Sequence, residues 1–211
     1  MGKTIKLAKP RDEATKRSSK RADKKRELAE HAIATLGSLG YARTSLRDIA
    51  SQSGVSLGIL HYYFEDKIDL ISYCVRLYKE TFIAMLDAAM APETPADAVI
   101  AGFVDALVGA VAQHANTHRL WYDIRGQALF DEAFHPVVDE IERALVNVVV
   151  RLLQRLDIEI VSPLSVYVAF DGLFRYYLQQ HLSGDKRALV AFRAALVDQF
   201  NSLASDNRGA Q

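Results

Sequence analysis

A chain of 211 residues, half of them hydrophobic, can bury roughly 70% of its unfolded surface, enough for a core that needs neither disulfides nor a structural metal. The single cysteine, Cys74, excludes an internal disulfide; no apolar run approaches the ~18 residues of a membrane span and no secretory signal is apparent, so a cytoplasmic protein without membrane contact is expected. The net charge of zero conceals an asymmetry: residues 1–67 carry 14 Lys or Arg against 8 Asp or Glu, the remainder 12 against 18, which suits a polyanion at one end and repels it from the other.

Residues 1–19, MGKTIKLAKPRDEATKRSS, lack apolar periodicity and are expected to form a flexible basic arm, for which a solubilising end and a DNA-contacting arm weigh equally. In residues 20–39, Leu28, Ala32, Ile33, Leu36 and Leu39 recur at helical spacing, and Gly37 and Gly40 fray the end. Tyr41 is assigned to the core of the small domain that follows. In residues 44–67, TSLRDIASQSGVSLGILHYYFEDK, Ser45 and Asp48 make a capping box, Leu46, Ile49 and Ala50 share a helical face, Gly54 ends the helix and Ser56 caps the next, over 57–64. Two short helices around a tight turn plugged by Val55 form a helix-turn-helix, which offers the start of its second helix to a DNA major groove.

The order T-S-L-R-D-I-A, then G-V-S-x-G-x-L, then Y-Y-F-x-D-K resembles the N-terminal domain of TetR-family transcriptional regulators. The chain departs from that pattern at His61, where the family usually has Tyr. Arg47 is the side chain best shaped to hold a guanine edge bidentately, and it matches a family position of base contact. Leu57, Gly58 and Ile59 suit thymine methyls and close approach, and His61 can donate or accept. Ser45, Tyr63 and Lys67 suit phosphate clamping, the role the resemblance also implies for Tyr63 and Lys67. Tyr62 stands between DNA contact and aromatic packing; Phe64 is assigned to packing.

Asp66 caps a long helix reaching about Met90, and Pro92 stops it. Thr94-Pro95-Ala96-Asp97 then supplies a cap and a first-turn proline for a helix over 95–115, and helices over 117–130, 136–156, 163–183 and 185–205 follow. The expectation is an all-α chain of nine helices, with a DNA-binding domain over 20–67 and an effector-binding and dimerisation domain over 68–211. Apolar stripes on the last two helices, including Phe170 and Tyr177 on one and Leu189, Phe192, Leu196 and Phe200 on the other, are candidates for a two-fold dimer interface, with closure of the monomer's own core as the alternative. The resemblance favours the interface, since TetR relatives dimerise through their last two long helices.

Between these parts lie Phe103, Leu107, Trp121, Tyr122, Phe130, Tyr167 and Phe174 with the polar Arg125, Asn147 and Asp171, a composition suited to a small-molecule pocket and, for any single aromatic, better suited to a core. Asp171 in so apolar a helix needs a partner, Arg175 or Arg125. His114 and His118 are four apart, but nothing completes a metal site, no catalytic motif appears, and no cofactor is expected. The sequence therefore predicts a ligand-responsive regulator, most simply a repressor, that binds a palindromic operator in double-stranded DNA as a homodimer and is released by a small-molecule effector. The alternative is a helical small-molecule-binding protein or enzyme that retains a structural helix-turn-helix.

Overall fold

The computed structural model describes residues 10–159 and 162–209, and among these it contains eight α-helices and no strand. They are α1 (Pro10–Leu39), α2 (Leu46–Gln52), α3 (Leu57–Tyr63), α4 (Lys67–Ala89), α5 (Ala96–Gln127), α6 (His135–Arg155), α7 (Pro163–Leu182) and α8 (Ala188–Gly209), with a 3-10 turn at Glu132–Phe134 before α6.

The helix-turn-helix is built by its caps. Ser45 Oγ accepts the Asp48 N–H while the Asp48 carboxylate accepts the Ser45 N–H at 2.8 Å, so each satisfies a donor the other end leaves open. Gly54 takes φ +64°, a left-handed conformation costly for a side-chain-bearing residue, and the chain turns there. Ser56 then caps α3 through the Ile59 N–H. Ile49, Ala50, Leu60 and Phe64 are buried against Leu28, Ala29, Ala32 and Leu36 of α1, which closes the small domain's core.

Asp66 accepts the Asp69 N–H at 2.8 Å and opens α4, whose 23 residues span about 35 Å at ~1.5 Å per residue. Its Leu70, Ile71, Cys74 and Val75 join the core beneath α1, and Leu86 lies farther along the same core, where α4 packs on α5 and α6. One helix therefore runs from the helix-turn-helix into the helical bundle. Cys74 is fully buried, its Sγ 3.5 Å from Ala29 O, and burial pushes the thiol's pKa up, which keeps it protonated and unreactive.

Four expectations are corrected here. The basic arm over 1–19 is in part helical: α1 starts at Pro10, because a proline is tolerated in the first turn and most of the following residues are helix formers, features that a search for apolar periodicity does not weigh; residues 1–9 lie outside the described residues. The helices expected over 95–115 and 117–130 are one, α5, kinked where His114 leaves helical geometry (φ −130°, ψ 27°); Val111 before the kink and His118 and Leu120 after it are held in the same core. Pro95 occupies the cap position of α5 itself, without a side-chain cap hydrogen bond. Finally, α5 is long and apolar enough by composition to cross a membrane, contrary to the expected absence of such a run, but it is the central helix of the bundle, with Val104, Leu107, Val111 and Ile124 in the core.

The stripes on α7 and α8 also resolve differently. Phe170, Phe192, Leu196 and Phe200 are at most 5% exposed within the single chain, where Phe170 and Phe200 meet at 5.1 Å and Phe103 lies against both. Tyr177 and Leu189 are half-buried, and the Tyr177 ring stacks on Phe192. The stripes close the monomer's core because α5 packs across both helices, and a sequence stripe does not say which neighbour covers it. What stays exposed is a different set: Leu164, Val168, Tyr176 and Leu182 of α7 and Val190 and Val197 of α8.

Candidate functional site

The first half of the site is the outer surface of α2 and α3. Arg47, Gly58, Ile59, His61 and Tyr62 are exposed, with Ile59 at 40% and Tyr62 at 65%, while Leu57 and Tyr63 are half-buried against the small core. Tyr62 stands edge-on to Tyr63 and carries Arg21 of α1 over its ring at 5.2 Å, so α1 adds a cation beside the recognition helix that the sequence reading did not single out. Two of the expected phosphate clamps are otherwise engaged. The Ser45 hydroxyl is held in its capping box, donating to Asp48 at 2.6 Å. Lys67 Nζ donates to the Tyr41 carbonyl at 2.7 Å and lies 3.9 Å from the centre of the Tyr41 ring, and partial burial lowers its pKa.

The second half is internal. A cavity of about 50 Å³, space for a few waters, lies where α4, α5, α6 and α7 meet. Phe82 and Leu86 line it from α4, Phe103, Leu107 and Tyr122 from α5, and Tyr167, Phe170 and Phe174 from α7. Asp171 enters this apolar surround with both oxygens satisfied: Tyr122 OH donates to Oδ1 at 2.9 Å and Arg125 Nη1 pairs with Oδ2 at 2.6 Å. Arg125 also reaches Glu142 at 2.6 Å, so one guanidinium bridges two carboxylates. Burial first, and then Asp171, raises the pKa values of Tyr122 and Tyr167, and both stay protonated as potential donors.

Two further polar groups face the cavity. His118 is 3% exposed and ringed by Tyr78, Phe82 and Phe174; burial drives its pKa well below the usual histidine value, so the ring is neutral, and its Nδ1 has no hydrogen-bond partner. Lys79 is 4% exposed, its Nζ 4.7 Å from the Trp121 ring, 5.1 Å from Phe82 and 5.5 Å from Tyr78, and burial lowers its pKa to about 7 against the support of Asp171 and Glu142. Phe82 and His118, 4.8 Å apart, also wall a larger cleft of about 270 Å³ that reaches Arg26, Glu30 and Ile33 of α1 and the kink residue His114.

Residues 26–74 match the bacterial regulatory proteins of the tetR family. That match covers the helix-turn-helix and its flanks, about a quarter of the chain. Solved structures extend the likeness of fold to nearly its whole length. A TetR transcription regulator from Haloarcula marismortui is 19% identical over 86% of this chain and 98% of its own, with TM-score 0.67. A transcriptional regulator from Rhodococcus sp. Rha1 is 14% identical over 86% and 96%, with TM-score 0.73. The transcriptional regulator FadR from Bacillus subtilis, solved in complex with stearoyl-CoA, is 17% identical over 82% and 95%, with TM-score 0.64. No curated protein matches the sequence.

The structure brings together Phe103, Leu107, Tyr122, Tyr167, Asp171 and Phe174 of the residues expected in a pocket. Arg125 braces Asp171. Trp121 is buried behind Lys79 instead of lining the wall, Phe130 is 90% exposed just past the end of α5, and Asn147 is exposed on the polar side of α6, whose Leu145, Val148 and Val149 face inward. Asn147 was misplaced because one polar residue in an apolar helix can equally sit on its wet face. Lys79, Phe82, Leu86 and His118 were missed. Lys79 had a signal: it falls on the same stripe as Ile71, Val75, Phe82 and Leu86, a lysine at a core position of α4.

Proposed function

We propose that the chain is a TetR-family transcriptional regulator acting as a ligand-released repressor that binds a palindromic operator as a homodimer. The observation that carries the reading is that α4 belongs to both halves of the site, with Leu70, Ile71 and Cys74 in the DNA-binding core and Lys79, Phe82 and Leu86 on the cavity. A ligand that parts α4 from α5 and α7 shifts the helix-turn-helix it carries, and it does so to the extent that it prefers one state over the other. Arg47 with Gly58, Ile59, His61 and Tyr62 is assigned the base edges, and Tyr63 and Lys67 the phosphates, Lys67 by leaving the Tyr41 carbonyl.

Dimerisation is assigned to the exposed apolar residues of α7 and α8, Val168 and Tyr176 on one and Val190 and Val197 on the other. Such a dimer sets two recognition helices on half-sites ~34–36 Å apart. FadR, a transcriptional regulator similar in fold, was solved in complex with stearoyl-CoA, which supports the ligand-responsive part of the reading.

Fluorescence anisotropy of the purified protein against DNA from beside its own gene, at two salt concentrations, tests the reading. Nanomolar binding to one palindrome that survives competitor DNA supports it. Weak binding equal on every fragment leaves the helix-turn-helix a structural element and the cavity the seat of function.

A further inference from the structure

Resting on the regulator reading, we infer that the effector is an organic anion, a single carboxylate on an apolar body, and that its carboxylate is held by Lys79. The unsatisfied polar groups at the cavity carry the argument. Lys79 lines the cavity at 4% exposure, and among the described residues its ammonium makes no hydrogen bond or ion pair; only the faces of Trp121, Phe82 and Tyr78 touch it. A buried cation without a counter-charge is costly, and a lysine on an apolar stripe is easily replaced by an apolar residue.

Other polar groups at the cavity are unpaired as well. Tyr167 OH makes no hydrogen bond and can donate to a ligand, with the Glu142 carboxylate near it; His118 Nδ1, a donor or an acceptor according to its tautomer, has no partner either. The carboxylate that lines the cavity is occupied: both oxygens of Asp171 are held by Tyr122 and Arg125, while Glu142, 2.6 Å from Arg125, is not part of the lining. A cavity whose lining carboxylate is occupied and whose cation is free selects an acceptor-rich ligand, and the surrounding Phe82, Phe103, Phe170 and Phe174 select a hydrocarbon or aromatic body. The carboxylates of Asp171 and Glu142 also support Lys79 from α7 and α6, while Arg125 and neutral His118 on α5 do not; those carboxylates are shared with Arg125, so the ligand supplies the direct partner.

The cavity of about 50 Å³ holds the headgroup alone, and the adjoining cleft of about 270 Å³, reached past Phe82 and His118, provides volume for the body. Displacing Phe82 is therefore part of binding.

Trp121 is the protein's one tryptophan and lies 4.7 Å from Lys79 Nζ, so its fluorescence reports on this site without DNA. The test titrates the full-length protein with matched sets of one body and three headgroups: octanoate, octanol and octylamine, and phenylpropionate, phenylpropanol and phenylpropylamine. The expected result is saturable change with a carboxylate at least about tenfold tighter than its alcohol and amine, a preference that falls as pH is raised above Lys79's titration near 7. Lys79→Met is expected to lose the carboxylate preference and keep alcohol binding; Tyr167→Phe, which removes only the donor, weakens the carboxylate a few-fold and guards against a misfolded first variant. Tighter binding of the amine, equal binding of all three headgroups, an unchanged preference in Lys79→Met, or no saturable change with either carboxylate overturns the inference. Operator binding measured separately decides the regulator reading, so the two fail independently.

Discussion

Tyr41 is clamped at both ends of its peptide unit: Asp123 of α5 accepts its N–H at 2.7 Å, and Lys67 of α4 donates to its carbonyl at 2.7 Å. Its ring stands edge-on to Phe134 at 5.3 Å and packs half-buried against the core, and its backbone in addition ties α4 to α5. Arg119 reinforces it by donating to the Gly37 and Ser38 carbonyls at the end of α1, where Gly37 lets α5 come so close that a Cβ there would stand 3.2 Å from Asn116 O. Asp123→Ala removes a charge-assisted hydrogen bond at a half-buried site and is expected to cost about 1–2 kcal/mol in urea unfolding. Hydrogen exchange should quicken at the Tyr41 amide and leave the Leu60 and Phe64 amides of α3 protected, since those bonds close within the small domain. Equal quickening in both places would mean that the Tyr41 tie holds the domain's fold and not merely its position.

Arg47 is exposed and contributes nothing to the core. Arg47→Ala should leave the melting temperature unchanged and weaken operator binding by about 5- to 150-fold, the ~1–3 kcal/mol of one bidentate base contact. An equal loss on operator and competitor DNA in the anisotropy assay would move Arg47 to the phosphates.

Arg125 bridges Asp171 and Glu142, and its removal leaves two partly buried carboxylates without their direct ion-pair partner. Full burial of such a pair makes the loss of one partner cost ~3–5 kcal/mol; with the Arg125 side chain 32% exposed, Arg125→Met is expected to cost about 2 kcal/mol. Adding Asp171→Asn should return part of that loss, and strict additivity in the double-variant cycle would show the two residues to be energetically independent.

Stability should rise with pH across the neutral range. Lys79 titrates near 7 when folded and near ~10.4 when unfolded, so between these the unfolded chain binds the extra proton, and stability climbs by at most about 1.4 kcal/mol per pH unit. The penalty of the buried charge is full below pH 7. His118 acts in the same direction on the acid side: its folded pKa lies well below the unfolded ~6.5, so stability falls as pH drops through 6.5. Lys67, also lowered, contributes in the same sense at the alkaline end. Urea midpoints at pH 6, 7.5 and 9 should increase in the wild type and increase less in Lys79→Met; parallel profiles would remove Lys79 as the cause.

Val190 is 75% exposed on α8 and Tyr176 58% exposed on α7. If these faces pair, Val190→Asp with Tyr176→Asp should shift sedimentation from dimer to monomer and abolish high-affinity operator binding, with the helical content unchanged. A dimer that persists would place the interface elsewhere.

Much of the architecture was legible because its signals are local. Ser45, Ser56 and Asp66 cap the helices they precede, and Gly54 sits where the chain must take positive φ. The need of Asp171 for a cation was legible from burial cost alone, and Arg125 meets it. What could not be read was which neighbour covers a stripe. Phe170, Phe192, Leu196 and Phe200 have the spacing of an interface and are spent inside the monomer, and Trp121 belongs behind the cavity wall and not in it.

The sequence alone determined the helices, their caps, the helix-turn-helix and the basic N-terminal end, because each depends on residues within a few positions of one another or on composition. The tertiary structure alone decided that α5 is one kinked helix, that Tyr41 ties α4 to α5, and that Lys79 and His118 stand at one cavity, 39 residues apart in the chain. Those properties arise from burial and from partners on other helices, and burial is settled only when the helices have packed.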